Sequence, residues 1–337
     1  MTAGPMVVRL NARTFPTTEI EREILREINA EIVEIEGDRD EEIIAAAKDA
    51  DAVMIISAYL HGPVIRSFDR VKVISRLGTG VDKIDLAAAT EKGIVVANLP
   101  DFSTEEVADH AFALLLASAR KLKRHEAMMR SGRRPETVEG MHRLAAQTLG
   151  IIGLGRIGRA VARRAAGFGM RIIGFDPAAD EAACEKLGIQ RVDFETVLTQ
   201  SDFLMTLCPL LPSTREMLGM TEFQKMKRTA VLINTGRGEL LKEAELADAL
   251  NRGVIAAAAI DVFGGINVFA DGGFPTTHPY FSVKNILLTP HVSANSEESL
   301  VASKSGGARA VVDVLSGRLP ENVVNKEVLD RVFLKPR

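Results

Sequence analysis

Three things are scarce in this chain of 337 residues, and each scarcity narrows what it can be. Cysteine occurs only at Cys184 and Cys208, in neither CxxC nor metal-ligand spacing, which argues against a zinc site and fits a reduced compartment. No excess of charge exists, since 42 Lys and Arg stand against 45 Asp and Glu. Nothing therefore draws the chain to nucleic acid or to an anionic membrane. Long apolar runs are missing as well, and none approaches the roughly 20 residues of a membrane span. The apolar stretch from Met1 to Leu10 is too short for a signal peptide before Asn11 and Arg13. There is no internal repeat, low-complexity segment, heptad run or linker rich in Pro, Ser and Gly. With 46% hydrophobic residues, the expectation is a soluble, cytoplasmic α/β protein with no metal, long enough for two full cores.

What is present is alternation. Strand-length apolar runs at 6–10, 31–35, 52–56, 73–76 and 94–96 are separated by helical patterns near 18–29, 39–48 and 83–91. Such alternation implies parallel strands joined by crossover helices. A long helix is expected from Thr104 to Ser131, with Ser103 as its N-cap and Glu105 and Glu106 at its positive end. A second series of strands follows at 149–152, 171–175, 202–206, 229–233, 254–260 and 285–288, and a final helix covers about 295–316. No flexible linker separates the two series, so the 104–131 helix is the expected bridge.

The most informative stretch opens that second series. The run Leu149, Ile151, Ile152 leads into Gly153-Leu154-Gly155-Arg156-Ile157-Gly158, a helical pattern, and a second apolar run ending on Asp176. This is the order a dinucleotide site requires. Gly153 permits the tight turn, Gly155 admits the pyrophosphate, and Gly158 lets helix pack on strand. The helix N-terminus offers free N–H groups and a positive dipole end to the phosphates. Asp176 suits the ribose hydroxyls and would repel a 2′-phosphate, and Pro177 rather than a basic residue follows it, which favours NAD over NADP.

Three strand ends further on carry chemistry. Asn234-Thr235-Gly236-Arg237-Gly238 presents a guanidinium between glycines, able to grip a carboxylate with two parallel bonds. Ala259-Ile260-Asp261-Val262 ends on an acid suited to the nicotinamide carboxamide. Leu287-Leu288-Thr289-Pro290-His291 halts at proline and presents a histidine, the side chain suited to proton transfer near neutral pH. The other histidines, His61, His110, His125, His142 and His278, lack such a setting and read as surface or core residues.

Together these motifs resemble the D-isomer-specific 2-hydroxyacid dehydrogenases over almost the whole chain. Arg76-Leu77-Gly78-Thr79-Gly80-Val81-Asp82-Lys83-Ile84-Asp85 resembles the family's first-domain loop. Glu106-Val107-Ala108-Asp109-His110 resembles the start of its interdomain helix, with Asp109 where the family has Glu. Asn322-Val323-Val324-Asn325 resembles its closing motif.

The resemblance implies two doubly wound parallel-sheet domains, an NAD-binding Rossmann domain inserted in a flavodoxin-like substrate domain. The implied boundaries are 1–103 and 293–337 for the substrate domain and 104–292 for the NAD domain, with the reaction in the cleft between them and no room for a C-terminal regulatory domain. Cofactor contacts are implied at Gly153, Gly155, Arg156, Ile157, Gly158, Asp176, Cys208, Pro209, Thr214, Thr235, Gly236, Arg237, Asp261, His291 and Ala294. Substrate contacts are implied at Leu77, Gly78, Thr79, Gly80 and Arg237, catalysis at Arg237 and His291, and a homodimer through the interdomain helix.

One departure bears on function. The family places a glutamate, partner of the catalytic histidine, where this chain has Ile266. A carboxylate beside the imidazolium stabilises the charged form, so its loss makes a weaker and less well oriented base, unless Asp271 on the same loop stands in. The expected activity is interconversion of a small D-2-hydroxy acid and its 2-oxo acid with NAD. The alternatives are an NAD-binding regulatory protein with weak or lost turnover, or an enzyme of an atypical acid. Arg124, Arg130, Arg133 and Arg134 would favour a phosphorylated or sulfonated acid, although such residues usually form only a solvated face.

Overall fold

The computed structural model describes residues 4–133, 140–266, 268–269 and 274–336. The chain divides into two compact units, one made of Met1–Phe102 and Ser296–Arg337, the other of Ser103–Asn295.

In the first unit β1 (Met6–Arg9), α1 (Glu19–Arg26), β2 (Glu31–Glu34), α2 (Asp40–Ala47), β3 (Ala52–Ile55), α3 (Gly62–Arg66), β4 (Val73–Arg76), α4 (Leu86–Glu91) and β5 (Val95–Ala97) alternate along the chain. Every strand pair is parallel and the order is β2-β1-β3-β4-β5, the flavodoxin-like arrangement. Successive side chains point to opposite faces, so Val8, Val53, Ile55 and Ile74 enter one apolar cluster while Val7, Ala52, Met54 and Val73 enter another. The order reverses between β1 and β3, where folds of this kind usually open a ligand crevice. Here Asn11, held at φ 60°, ties the two strand ends together: its Oδ1 accepts from the backbone N–H groups of Ile56, Ser57 and Ala58 at 3.3, 2.8 and 3.0 Å.

The second unit runs α5 (Thr104–Ala119), α6 (Leu122–Arg130), β6 (Thr148–Ile152), α7 (Arg156–Gly167), β7 (Arg171–Phe175), α8 (Glu181–Glu185), β8 (Gln190–Arg191), α9 (Phe194–Gln200), β9 (Phe203–Thr206), α10 (Met220–Lys225), β10 (Val231–Asn234), α11 (Glu243–Asn251), β11 (Ala257–Ile260) and β12 (Ile286–Leu288). Its strands pair in parallel in the order β12-β11-β10-β9-β6-β7-β8. Counted within the unit, that is the Rossmann order with one more strand at an edge.

Three sequence expectations change. The helix expected over 104–131 is two helices, because Lys121 takes up φ 51°. The amides of Arg120 and Lys121 turn back to the carbonyls of Leu116 and Ser118. Six residues of α5 are buried, whereas α6 buries only Met128, so no apolar stripe carries one straight helix across the junction. Ser103 does stand at the N-cap, but its side chain makes no capping bond. The strand expected from 254 begins at Ala257, and the short exposed β8 had no apolar run to announce it.

After the second unit, α12 (Glu297–Leu315) belongs to the first, capped by Ser296, whose Oγ accepts from the Ser299 amide. It carries Lys304 into a charged cluster with Arg9 and Glu21, all at most 3% exposed. Arg9 Nε lies 2.9 Å and Lys304 Nζ 3.1 Å from the Glu21 carboxylate.

Candidate active site

The glycine turn after β6 has the shape a dinucleotide requires. Gly153 sits at φ 99°, and a Cβ there would lie 2.5 Å from the Cys208 nitrogen; one on Gly158 would lie 2.1 Å from the Gly153 carbonyl. At Gly155 a Cβ would meet nothing within 4 Å, and no side chain caps α7. Open space thus stands before a helix N-terminus, where backbone N–H groups and the dipole favour phosphate. Gly153 follows β6 and Cys208 follows β9, the neighbouring strands between which the sheet order reverses. At the end of β7, Asp176 accepts from the Leu154 amide at 2.8 Å and the Ala178 amide at 2.8 Å. The carboxylate pins the glycine turn and, half-buried, has further lone pairs for ribose hydroxyls.

Other strand ends complete this rim. The Thr235 hydroxyl is buried without a hydrogen-bond partner among the described residues, the kind of orphan a bound ligand satisfies. Burial pushes the Cys208 thiol up to about 11, so it stays neutral. The loop after it is closed by Thr214, whose Oγ1 donates to the Pro209 carbonyl at 2.7 Å and accepts from the Leu211 amide at 2.8 Å. These features fit NAD.

Arg237 follows β10 in a turn shaped by Asn234. The Asn234 side chain donates to the Arg237 carbonyl at 2.8 Å and accepts from the Gly236 amide at 3.0 Å and the Thr206 hydroxyl at 2.8 Å. A Cβ on Gly238 would lie 2.1 Å from the Phe263 backbone, so this turn packs directly on the segment after β11.

Asp261 is fully buried. Its Oδ1 accepts from the Thr289 hydroxyl at 2.6 Å and the Val292 amide at 3.1 Å, and its Oδ2 from the Ser293 amide at 3.0 Å. Its backbone carbonyl accepts from the His291 amide at 2.8 Å. Beyond the nicotinamide contact expected of it from the sequence, this acid grips the turn that carries His291. Burial opposes its charge, yet the bonds from His110, Thr289, Ser293 and Val292 hold its carboxyl well below the usual carboxylate range. His291 itself is exposed, at φ 56°, with its ring 5.8 Å from that of Phe269. Ala294, three residues on, is half-buried.

His110, which the sequence analysis set aside, belongs to this network. Its Nε2 lies 3.1 Å from the Thr289 hydroxyl and 3.5 Å from Asp261 Oδ1. No spacing rule joins a residue of α5 to one after β12. His278 was set aside too, and it pairs with Glu243 at 3.2 Å. Asp109, in place of the family's glutamate, pairs with Arg164 at 2.6 Å. Ile266 is half-buried against the apolar cluster of β9, β10 and β11. Asp271 and Arg134 lie outside the described residues.

In the first unit, the loop after β4 is held in a tight conformation. Arg76 Nε donates to the Gly80 carbonyl at 3.0 Å, Thr79 Oγ1 donates to the Leu99 carbonyl at 2.9 Å, and the Leu99 amide donates to the Gly78 carbonyl at 3.0 Å. Leu77 is buried beneath it.

A Rossmann-ordered sheet with a glycine turn, a terminal acid, and an arginine and an exposed imidazole at its carboxyl ends defines an NAD-dependent oxidoreductase. A sequence profile described as "D-isomer specific 2-hydroxyacid dehydrogenase, NAD binding domain" matches residues 112–293, and the chain belongs to that family, whose members interconvert 2-hydroxy and 2-oxo acids. It is 39% identical to a D-3-phosphoglycerate dehydrogenase of Methanocaldococcus jannaschii over 93% of its own length, and spans 58% of the length of that relative. A glyoxylate reductase of Korarchaeum cryptofilum is 36% identical over 95% of this chain and 98% of the relative. Among solved structures, D-lactate dehydrogenase from Aquifex aeolicus with NAD and lactic acid superposes with a TM-score of 0.82 at 25% identity, covering 97% of this chain and 98% of the other. Among the described residues no helix is long and apolar enough to cross a membrane.

Proposed function

We propose that the chain interconverts a small D-2-hydroxy acid and its 2-oxo acid, with the Ser103–Asn295 unit as the NAD domain and the other unit as the substrate domain. Arg237 holds the substrate carboxylate through paired N–H bonds. His291 accepts the hydroxyl proton during oxidation and returns it to the carbonyl oxygen during reduction. The glycine turn at 153–158 and Asp176 would hold NAD, which would supply the hydride chemistry at C2. The observation that carries this reading is the position of Arg237 and His291, both just past the carboxyl ends of strands in one parallel sheet. A homodimer is proposed as well: Leu122 and Met129, seven residues apart on α6, are 54% and 70% exposed, an apolar stripe suited to a second copy. Two unpaired cysteines support a cytoplasmic setting.

The test is NADH oxidation at 340 nm with glyoxylate, hydroxypyruvate and pyruvate. Turnover of at least one is expected. Tight NADH binding without turnover of any 2-oxo acid would overturn the reading in favour of an NAD-binding regulatory protein. Ile266, in the glutamate's position, is the observation that favours this second reading.

A further inference from the structure

We propose that His110 is a positioning residue for proton transfer, acting on His291 through the Thr289 hydroxyl and the Asp261 carboxylate. The inference rests on the reading that His291 moves the proton, and it deepens that reading.

The argument starts from the backbone of His291. A non-glycine residue at φ 56° occupies a sparsely populated region and stays there only where its surroundings over-determine it. Asp261 supplies those surroundings. Through its carbonyl and both carboxylate oxygens it accepts from three consecutive amides, His291, Val292 and Ser293. The orientation of the imidazole therefore depends on where the Asp261 carboxylate sits.

That carboxylate is in turn oriented from α5. The Thr289 hydroxyl has one hydrogen, and the 2.6 Å bond to Asp261 Oδ1 uses it, because an ionised carboxylate only accepts. The Thr289 oxygen then faces His110 Nε2 at 3.1 Å as an acceptor, so Nε2 carries the proton. The same nitrogen is 3.5 Å from Asp261 Oδ1. The result is a directed chain from His110 Nε2–H to Thr289 Oγ1–H to Asp261, ending on the amides that fix the His291 turn. A buried acid satisfied by amides alone would have no need of the imidazole. Its presence gives the carboxylate a lateral restraint that the amides, all from the turn itself, cannot supply.

The test uses the full chain and three substitutions: His110→Phe, which keeps a ring and removes the donor; His110→Gln, which restores an N–H donor; and Thr289→Val, which keeps volume and removes the middle hydroxyl. Two readouts are taken. Hydrogen–deuterium exchange of the cofactor-free protein over residues 289–294 reports the turn without reference to activity. Steady-state reduction of the best 2-oxo acid separates kcat from KM for NADH. His110→Phe and Thr289→Val should both speed exchange in 289–294 and lower kcat, on the order of 10- to 100-fold for a misplaced catalytic group, with KM for NADH unchanged. His110→Gln should recover most of both. Unchanged exchange and kcat in His110→Phe would overturn the proposal, and so would equal losses in His110→Phe and His110→Gln, which would mark a packing role. If the wild-type chain turns over no 2-oxo acid, the functional reading fails. The exchange result then decides by itself whether His110 holds the turn.

Discussion

Glu243, the first residue of α11, meets His278 across 3.2 Å with both side chains largely buried. The other carboxylate oxygen accepts from the Gly264 amide at 3.0 Å, and Phe263, Phe274 and Tyr280 surround the imidazole with ring centroids 5.8, 5.5 and 4.7 Å away. One carboxylate thereby ties down both ends of the segment that carries Ile266. Burial raises the Glu243 pKa despite the bonds from Gly264 and His278, so the pair depends on hydrogen bonding as well as charge. Glu243→Ala should destabilise the protein by about 3–5 kcal/mol, the usual cost of breaking a buried pair by removing one partner. Glu243→Gln, which can still accept from Gly264, should cost clearly less. Urea midpoints for the two variants check this, and equal losses would contradict it.

Asp261 predicts a pH dependence of known sign. Its folded-state pKa lies below the ordinary value, with bonds from His110 and Thr289 outweighing desolvation. The stability it contributes is therefore present above the unfolded value of about 3.9 and is lost as pH falls toward the folded value. The difference in unfolding free energy between wild type and Asp261→Asn should be largest above pH 5 and shrink steadily on acidification. A difference constant from pH 6 to pH 3 would be the contrary result.

The cofactor preference rests on Asp176. NAD(H) is expected to bind far more tightly than NADP(H), since a carboxylate repels the 2′-phosphate. Arg191, on the neighbouring strand, places Nη2 3.5 Å from the Asp176 carbonyl, a cation the sequence did not place there. Asp176→Ala should therefore raise NADPH affinity as well as weaken NADH, and adding Arg191→Ala should reverse the gain. Fluorescence titration with both cofactors measures it. Equal affinities in the wild type would remove Asp176 from the selection.

Arg237→Ala should abolish turnover and leave NADH affinity nearly intact, because the guanidinium is assigned to the substrate. Losing paired bonds to a carboxylate should cost at least about 1.5–3 kcal/mol in kcat/KM. Normal turnover in this variant would take Arg237 out of the proposed mechanism.

In the first unit, Glu21 separates two buried cations. Glu21→Gln should cost about 3–5 kcal/mol by leaving Arg9 and Lys304 with uncompensated charge. Desolvation, aided by Arg9, lowers the Lys304 pKa, so wild-type stability should rise as pH climbs from that lowered value toward about 10.4. Lys304→Met should cost little at pH 7 and abolish that alkaline rise. A persistent rise in the variant would assign it to another group.

The alternation of short apolar runs with helical patterns determined two parallel α/β units, because strands buried on both faces must be continuously apolar. The glycine turn at 153–158 and the placement of Asp176, Arg237 and His291 just past strand ends were equally legible, because local turn chemistry dictates those residue types. What sequence could not supply was side-chain partnership over long separations. Asp261 read only as a cofactor contact, and its grip on the turn after β12 left no mark in the sequence. His110 and His278 read as bland, yet each pairs with an acid, 151 and 35 residues away in the chain. The break at Lys121 was invisible as well, since a left-handed residue leaves no periodic trace. Local pattern depends on backbone geometry and burial, which repeat along the chain. The partners of a buried acid or imidazole depend on which strand ends and helices are brought together, and only the folded sheet decides that.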